Sequence, residues 1–161
     1  MKRKSEYFQG CLIGGAIGDA LGWPVEFMRY SQIKGKYGKA GIHDLVISSS
    51  GKAEITDDTQ MTIFTAEGIL RADSVLNNQA IRDEALAISV YFSLKYSNDF
   101  EKGLIASVNH DGDSDSTGAI TGNILGAYLG LGKIPMKWME SVELKDVLLR
   151  LANELLNKSS N

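Results

Sequence analysis

Glycines repeat at every fourth position in two separate parts of the chain, and this pattern restricts the possible folds most strongly. Apolar and small residues recur at helical spacing over Glu6–Leu21 and over Thr117–Gly130. The glycines on one face of these two segments are Gly14, Gly18, Gly22, Gly118, Gly122, Gly126 and Gly130. Each glycine inside a helix costs about 1 kcal/mol relative to alanine, so a close neighbour must offset that loss. We therefore predict that the two helices pack against each other along their glycine faces.

Four further helices follow from the spacing of apolar residues. They are predicted over Thr56–Leu70, Gln79–Tyr96, Phe100–Val108 and Val142–Leu156. The segment Ser31–Ser50 is rich in Gly, Ser and Lys and is predicted to be a loop, in which Leu45–Ile47 is either a short strand or irregular. Asn109–Ser116 is predicted to be a polar loop. Without an internal repeat or a linker, residues 1–161 are expected to form one all-α domain, a compact orthogonal helical bundle.

Composition excludes several classes of protein. Apolar residues make up 43% of the chain, charged residues 23%, and the net charge is −3, which is typical of a globular protein and gives no basic patch for nucleic acid. No apolar run reaches the roughly 18 residues of a membrane span. The basic N-terminus is followed by glycines and Asp19, which argues against a signal peptide. Because Cys11 is the only cysteine, we expect a reducing compartment, the cytoplasm.

Two acidic clusters carry the chemical signal. The first, Thr56-Asp57-Asp58-Thr59, is interpreted either as a helix cap or as a ligand set. The second runs from Asp111 to Ser116, and its three carboxylates repel one another unless a cation compensates them. Oxygen ligands without cysteine favour Mg²⁺ or Mn²⁺ first and Ca²⁺ second, with a solvated acidic loop as the alternative. An EF-hand is excluded because Ser116 and Gly122 stand where that loop requires Gly and Glu.

Three stretches, in order, resemble the signature motifs of the ADP-ribosylglycohydrolase family. They are Gly14–Gly22 with Glu26 after it, Thr56–Met61, and Asn109–Ala127. The resemblance implies an all-α fold and a metal-dependent hydrolase that cleaves the glycosidic bond between ADP-ribose and an acceptor, through two Mg²⁺ or Mn²⁺ ions. ADP-ribose or an ADP-ribosylated substrate is then the expected partner.

The resemblance also implies roles for individual residues. The metal ligands carried over from the family's motifs are Thr56, Asp57, Asp58, Asp113, Asp115 and Ser116. The catalytic residues implied are Glu26, Asp57 and Asp58, with Glu26 as a ligand or proton acceptor. Asp19 is interpreted as a tie between the first helix and neighbouring backbone rather than as catalytic. His110 is expected to hydrogen-bond the loop, and Trp23 and Tyr128 are expected in the core rather than against adenine.

The chain departs from the family in one region. Only Asp73–Asp83 stands where the family's longer chains have several helices and a Gly-Ser-x-Met-Arg-type motif. The alternative function is therefore a non-catalytic, metal-dependent ADP-ribose-binding domain or an inactive remnant. Missing helices would also uncover apolar residues on the Gln79–Tyr96 helix, and large exposed apolar patches are rare in monomers. We therefore expect a homodimer whose interface includes part of that helix.

Overall fold

The computed structural model describes residues 4–71 and 83–159, which confirm the all-α prediction. Eight α-helices lie within these residues, in chain order α1 to α8. Their bounds are Ser5–Gly22, Tyr30–Tyr37, Asp57–Arg71, Asp83–Lys95, Phe100–Val108, Ser114–Leu129, Met136–Ser141 and Lys145–Ser159. The part of the chain so described contains no β-strand, and its only strand-like pairing is an isolated parallel bridge between Ala53 and Val142.

Helices α1 and α6 pack against each other along their glycine faces, as the spacing predicts. A methyl group on Gly14 would lie closer than 3.0 Å to the carbonyl oxygen of Gly122, and one on Gly122 would meet that of Gly14 in the same way. Gly18 and Gly118 form a second reciprocal pair of this kind. The two backbones are therefore in direct contact, which a side chain on either face would prevent.

The remaining helices surround this central pair. Helices α4 and α5 pack against α6, while α3 and α8 pack against α1 and each other. Ile13, Ile17 and Leu21 of α1 are fully buried. Trp138 of α7 is also fully buried, and its indole Nε1–H donates to Asp44 Oδ1 at 2.7 Å. Helices α1 and α6 therefore form the centre of the bundle, with α3, α4, α5 and α8 packed around them.

The predicted loop over Ser31–Ser50 is wrong in its first part, where α2 forms. Lysines and a glycine interrupt the apolar spacing of α2, so the helix carries a weak sequence signal. Two hydrogen bonds stabilise its start instead: Gln32 Oε1 accepts from the N–H of Arg29, and Asp111 Oδ1 accepts from the N–H of Tyr30. The second contact crosses between distant parts of the chain and is invisible to local patterns. Leu45–Ile47 is irregular.

Two other predicted boundaries are corrected. Helix α6 begins at Ser114 rather than at Thr117, because Asp113 caps it by accepting from the N–H of Ser116 at 3.3 Å. The predicted helix over Val142–Leu156 begins later, at Lys145, and continues to Ser159 as α8, while α7 precedes it as a separate helix. The later start occurs because Ala53 pairs with the backbone on either side of Val142, which removes Val142 from the helix. Of the predicted Gln79–Tyr96 helix, residues 79–82 lie outside the described residues.

Several apolar side chains face solvent. Trp23 and Tyr128 are 39% and 64% exposed, so the prediction that they lie in the core is wrong: each sits at an end of its glycine helix, beyond the packed face. The exposed apolar residues of α3 and α4 are Met61, Phe64, Ile69, Val90, Tyr91 and Leu94. None of the helices between residues 4 and 159 that the structure describes is long and apolar enough to cross a membrane.

Candidate metal centre

Glu26 is positioned by the end of α1. Pro24 ends the helix, and the chain continues as one 3-10 turn over Trp23–Val25, after which Glu26 N–H donates to the Trp23 carbonyl at 3.2 Å. The next residue, Phe27, donates its N–H to the Gly112 carbonyl at 2.8 Å. This bond joins the segment after α1 to the second acidic loop, so Glu26 and that loop are held side by side.

Asp19 positions the first acidic cluster. Its fully buried carboxylate accepts from the backbone N–H and hydroxyl of Thr56 and from the same two groups of Thr59. These four bonds fix the first turn of α3 on α1, and Thr56 Oγ1 caps that turn by accepting from the N–H of Asp58 at 3.3 Å. The predicted structural role of Asp19 is confirmed. Thr59 is a partner that the sequence analysis did not single out.

The carboxylates of the second acidic loop have two different roles. Asp111 accepts the N–H of Tyr30 and so anchors α2, whereas Asp113 and Asp115 lie at the start of α6. His110 hydrogen-bonds the carbonyl of Asp111 through Nδ1 and the hydroxyl of Thr117 through Nε2, each at 2.8 Å. The predicted role of His110 in holding the loop is therefore confirmed.

Glu26, Asp113 and Asp115 come together in space. One carboxylate oxygen from each lies within 4.8 Å of the others, although Glu26 is 87 residues from Asp113 in sequence. Across from them, Ser116 Oγ donates to Asp58 Oδ2 at 3.1 Å, which joins the start of α6 to the start of α3. The structure thus brings the two predicted acidic clusters and Glu26 to a single place.

The remaining predicted ligands lie beside this group. Asp57 is exposed and lines the same cavity as Asp58. Thr56 is half-buried, and its hydroxyl donates to Asp19 Oδ1 at 2.7 Å while accepting from Asp58. One lone pair of the Thr56 oxygen is left by these two bonds.

The crowded carboxylates raise one another's pKa values. Burial raises the pKa of Asp115 to about 8, with contributions from a hydrogen bond to Asp113 and the charge of Glu26. Burial and the charges of Asp113, Asp57 and Asp58 raise the pKa of Glu26. Burial also raises the pKa of Asp58, partly offset by the hydrogen bond from Ser116. The site therefore holds more negative charge than its own side chains can stabilise.

A cavity of about 460 Å³ opens over these carboxylates. Beside the predicted residues, its walls include Phe27, Met61 and Asn123, to which the sequence assigned no role at the site. Asn123 follows Ser116 by seven positions on α6 and so lies on the same helix face, which is a signal that could have identified it. Phe27 carried no such signal.

The donor set fits a hard divalent cation. All the ligands offered are carboxylate and hydroxyl oxygens, the kind that Mg²⁺, Mn²⁺ and Ca²⁺ prefer. Among the described residues that line the cavity, none is a lysine, arginine or histidine. The charge that would compensate the carboxylates must therefore come from solution, and a bound cation would reverse the unfavourable rise in their pKa values.

Comparison with known proteins decides the family. The sequence profile of the family described as ADP-ribosylglycohydrolase matches this chain over residues 2–83 and again over residues 74–161. The chain belongs to the ADP-ribosylglycohydrolase family. The change from one match to the other falls at residues 74–83, where the sequence analysis places the shortened connection.

Three relatives share part of this sequence. An uncharacterized protein of Archaeoglobus fulgidus is 41% identical over 68 residues, which are 40% of this chain and 22% of the relative. The ADP-ribosyl-[dinitrogen reductase] glycohydrolase of Rhodospirillum rubrum is 39% identical over 33% of this chain and 21% of its own length. The ADP-ribosylarginine hydrolase Tri1 of Pseudomonas putida is 32% identical over 39% of this chain and 17% of its own length. The chain therefore spans about a fifth of the length of the curated relatives it matches.

Proposed function

We propose that this protein is a divalent-metal-dependent hydrolase that cleaves the glycosidic bond between ADP-ribose and an acceptor. The observation that carries the proposal is the meeting of Glu26 with Asp113 and Asp115, which are distant in sequence, in an acidic cavity without basic residues among its described walls. Membership of the ADP-ribosylglycohydrolase family supplies the reaction type.

The proposed ligands for two Mg²⁺ or Mn²⁺ ions come from both acidic clusters. They are Thr56, Asp57, Asp58, Asp113, Asp115 and Ser116. Asp19 holds the first cluster in place through Thr56 and Thr59, and the α1–α6 contact holds the second. When bound, an ion of this kind polarises oxygen ligands and lowers the pKa of water.

Glu26 is proposed as the proton acceptor. Water adds to the anomeric carbon of ADP-ribose while the bond from that carbon to the acceptor breaks, and the transition state has oxocarbenium character. The proton that the water loses passes to Glu26 and then to the departing acceptor. The Glu26 carboxylate lies within 4.8 Å of those of Asp113 and Asp115, which places this base beside the proposed metal ligands.

ADP-ribosylarginine is the first substrate to test, because the Pseudomonas putida relative is named for it. ADP-ribosylserine serves as the second, with an O-glycosidic bond in place of an N-glycosidic one. Release of ADP-ribose is followed by chromatography with Mn²⁺, with Mg²⁺ and with EDTA. We expect metal-dependent release from at least one substrate.

Two matched variants test whether activity depends on Glu26 itself or on any nearby negative charge. Glu26→Gln removes the base but keeps the shape, and activity should fall at least about a hundredfold, within the usual range for a general base. Asp111→Asn is the control, because it removes one negative charge from the neighbouring acidic loop while an amide oxygen can still accept from Tyr30. If the Glu26→Gln variant is active, another group must act as the base.

A second candidate is a non-catalytic, metal-dependent binder of ADP-ribose. The specific observation in its favour is that Met61, which lines the cavity, stays exposed, as do Phe64 and Leu94 elsewhere on α3 and α4. Calorimetry with ADP-ribose in the presence of Mn²⁺ distinguishes the candidates. Binding of ADP-ribose without turnover of either conjugate would favour the non-catalytic binder. Absence of ADP-ribose binding would rule out both functions.

A further inference from the structure

Phe27 has a backbone conformation that is unfavourable for its side chain. Its φ is 56°, in the left-handed region, and among the residues the structure describes only Leu144 shares this property outside glycine. A bulky residue is rare there because Cβ approaches its own carbonyl oxygen. The conformation is imposed by two hydrogen bonds, from Phe27 N–H to the Gly112 carbonyl at 2.8 Å and from Met28 N–H to the Val25 carbonyl at 3.0 Å.

The phenyl ring of Phe27 contributes little to the folded core. It is 70% exposed, whereas its neighbour Val25 is fully buried. Glycine would adopt the same backbone without strain, so local structure gives no reason for a phenyl group at this position. Strained residues of this kind concentrate at functional sites, where surrounding contacts hold them in place.

Phe27 lines the same cavity as the carboxylates of the candidate metal centre. It follows Glu26 directly, and the Glu26 carboxylate lies within 4.8 Å of those of Asp113 and Asp115. The part of a nucleotide conjugate that suits oxygen ligands is the hydroxyl-bearing sugar. A sugar whose hydroxyls face the carboxylates presents its apolar C–H face elsewhere, and an aromatic ring at the rim is the complementary surface.

We propose that the Phe27 ring packs against the apolar face of the sugar that carries the scissile bond, and that it thereby selects ADP-ribosyl conjugates and excludes water from that face. This inference rests on the proposed function, because the ligand class comes from it. Phe27 contacts the ligand and takes no part in proton transfer. The strained turn serves to place the ring beside Glu26.

The test uses the full chain with Mn²⁺ and ADP-ribose as probes in calorimetry. Phe27→Leu keeps the apolar character and removes the ring, and ADP-ribose affinity should fall about tenfold, in the range of one aromatic contact. Phe27→Tyr should retain the affinity of the parent. Affinity for Mn²⁺ alone should be unchanged in both variants. The matched control is Phe64→Leu, because Phe64 is 69% exposed on α3 and does not line this cavity.

A second readout does not depend on any ligand. Phe27→Gly relieves the unfavourable φ and should raise the melting temperature while it weakens ADP-ribose binding. Unchanged ADP-ribose affinity in Phe27→Leu would overturn the assignment and leave the proposed function intact. Loss of Mn²⁺ affinity in Phe27→Leu would also overturn it, since the ring would then act through the structure of the centre. A parent protein that binds Mn²⁺ but not ADP-ribose would overturn the proposed function and this inference together.

Discussion

Replacing Gly122 with alanine tests the glycine contact between α1 and α6 directly. The new methyl group would lie closer than 3.0 Å to the backbone oxygen of Gly14, and no side chain is present that could rotate away. The helices must therefore separate. Overpacking costs typically about 1–3 kcal/mol, and a backbone obstacle places this case at the upper end, about 3 kcal/mol. Alanine's better helix propensity returns about 1 kcal/mol, so the free energy of unfolding should fall by about 2 kcal/mol.

Thermal unfolding followed by circular dichroism measures this effect. For a chain of this size, a loss of about 2 kcal/mol lowers the melting temperature by about 4–8 °C. Gly35→Ala in α2 is the matched control, because a methyl group there would meet nothing within 4 Å and its φ is ordinary for a helix. That variant should be stabilised by about 0.5–1 kcal/mol. A Gly122→Ala variant as stable as Gly35→Ala would refute the close contact.

The same contact has a consequence at the candidate metal centre. A methyl group on Gly22 would collide with the backbone of Ser114 and Asp115, whereas one on Gly126 would collide with Gly10 at the other end of the helix pair. Both Gly22→Ala and Gly126→Ala should lower stability. Only Gly22→Ala should also weaken Mn²⁺ binding, because it displaces Asp115. Equal loss of Mn²⁺ affinity in both variants would contradict the expected difference between them.

Three other predictions follow from the site and the surface. Millimolar Mg²⁺ or Mn²⁺ should raise the melting temperature by several degrees, since a ligand at a hundredfold excess over Kd adds about 2.7 kcal/mol. EDTA should reverse this rise, and the Asp113→Asn, Asp115→Asn double variant should not show it. If metal does not shift the melting temperature of the parent protein, the proposed metal site is refuted. Without metal, the melting temperature should fall as pH rises from about 5 to 8. The reason is that Asp115 has a pKa of about 8 in the folded protein and about 4 in the unfolded chain, so over that range it binds its proton only in the folded state. A melting temperature that rises over that pH range would contradict the crowding of carboxylates. Light scattering at low micromolar concentration should give a homodimer, because Val90, Tyr91 and Leu94 of α4 are exposed; a monomer that melts cooperatively would refute it.

The sequence predicts the central helix pair and the acidic residues well, because both depend on local spacing. A face without side chains requires a close partner, and the chain offers only one matching face, so α1 and α6 could be paired without a structure. Asp19 could likewise be interpreted as structural, and it is bonded to Thr56 and Thr59. Each glycine repeat and each acidic cluster lies within a short stretch of sequence, so each can be recognised without knowledge of the fold.

Other features depend on contacts between distant segments. Helix α2 starts on a bond from Tyr30 to Asp111, and α7 ends where Ala53 pairs beside Val142. Neither contact leaves a periodic pattern. The conformation of Phe27 could not be predicted for the same reason, since its φ is imposed by Gly112, 85 residues away. The exposure of Trp23 and Tyr128 was mispredicted because an aromatic side chain at a helix end can leave the packed face without changing the spacing.

The central claim is that Glu26 and the two acidic clusters form one divalent-metal centre that binds an ADP-ribosyl group. The most direct measurement is a crystal structure of the protein with Mn²⁺ and ADP-ribose, with anomalous diffraction to locate manganese. We expect anomalous peaks among the carboxylates of Glu26, Asp58, Asp113 and Asp115, with the ribose hydroxyls beside them. Manganese bound elsewhere, or ADP-ribose bound away from these carboxylates, would contradict the central claim.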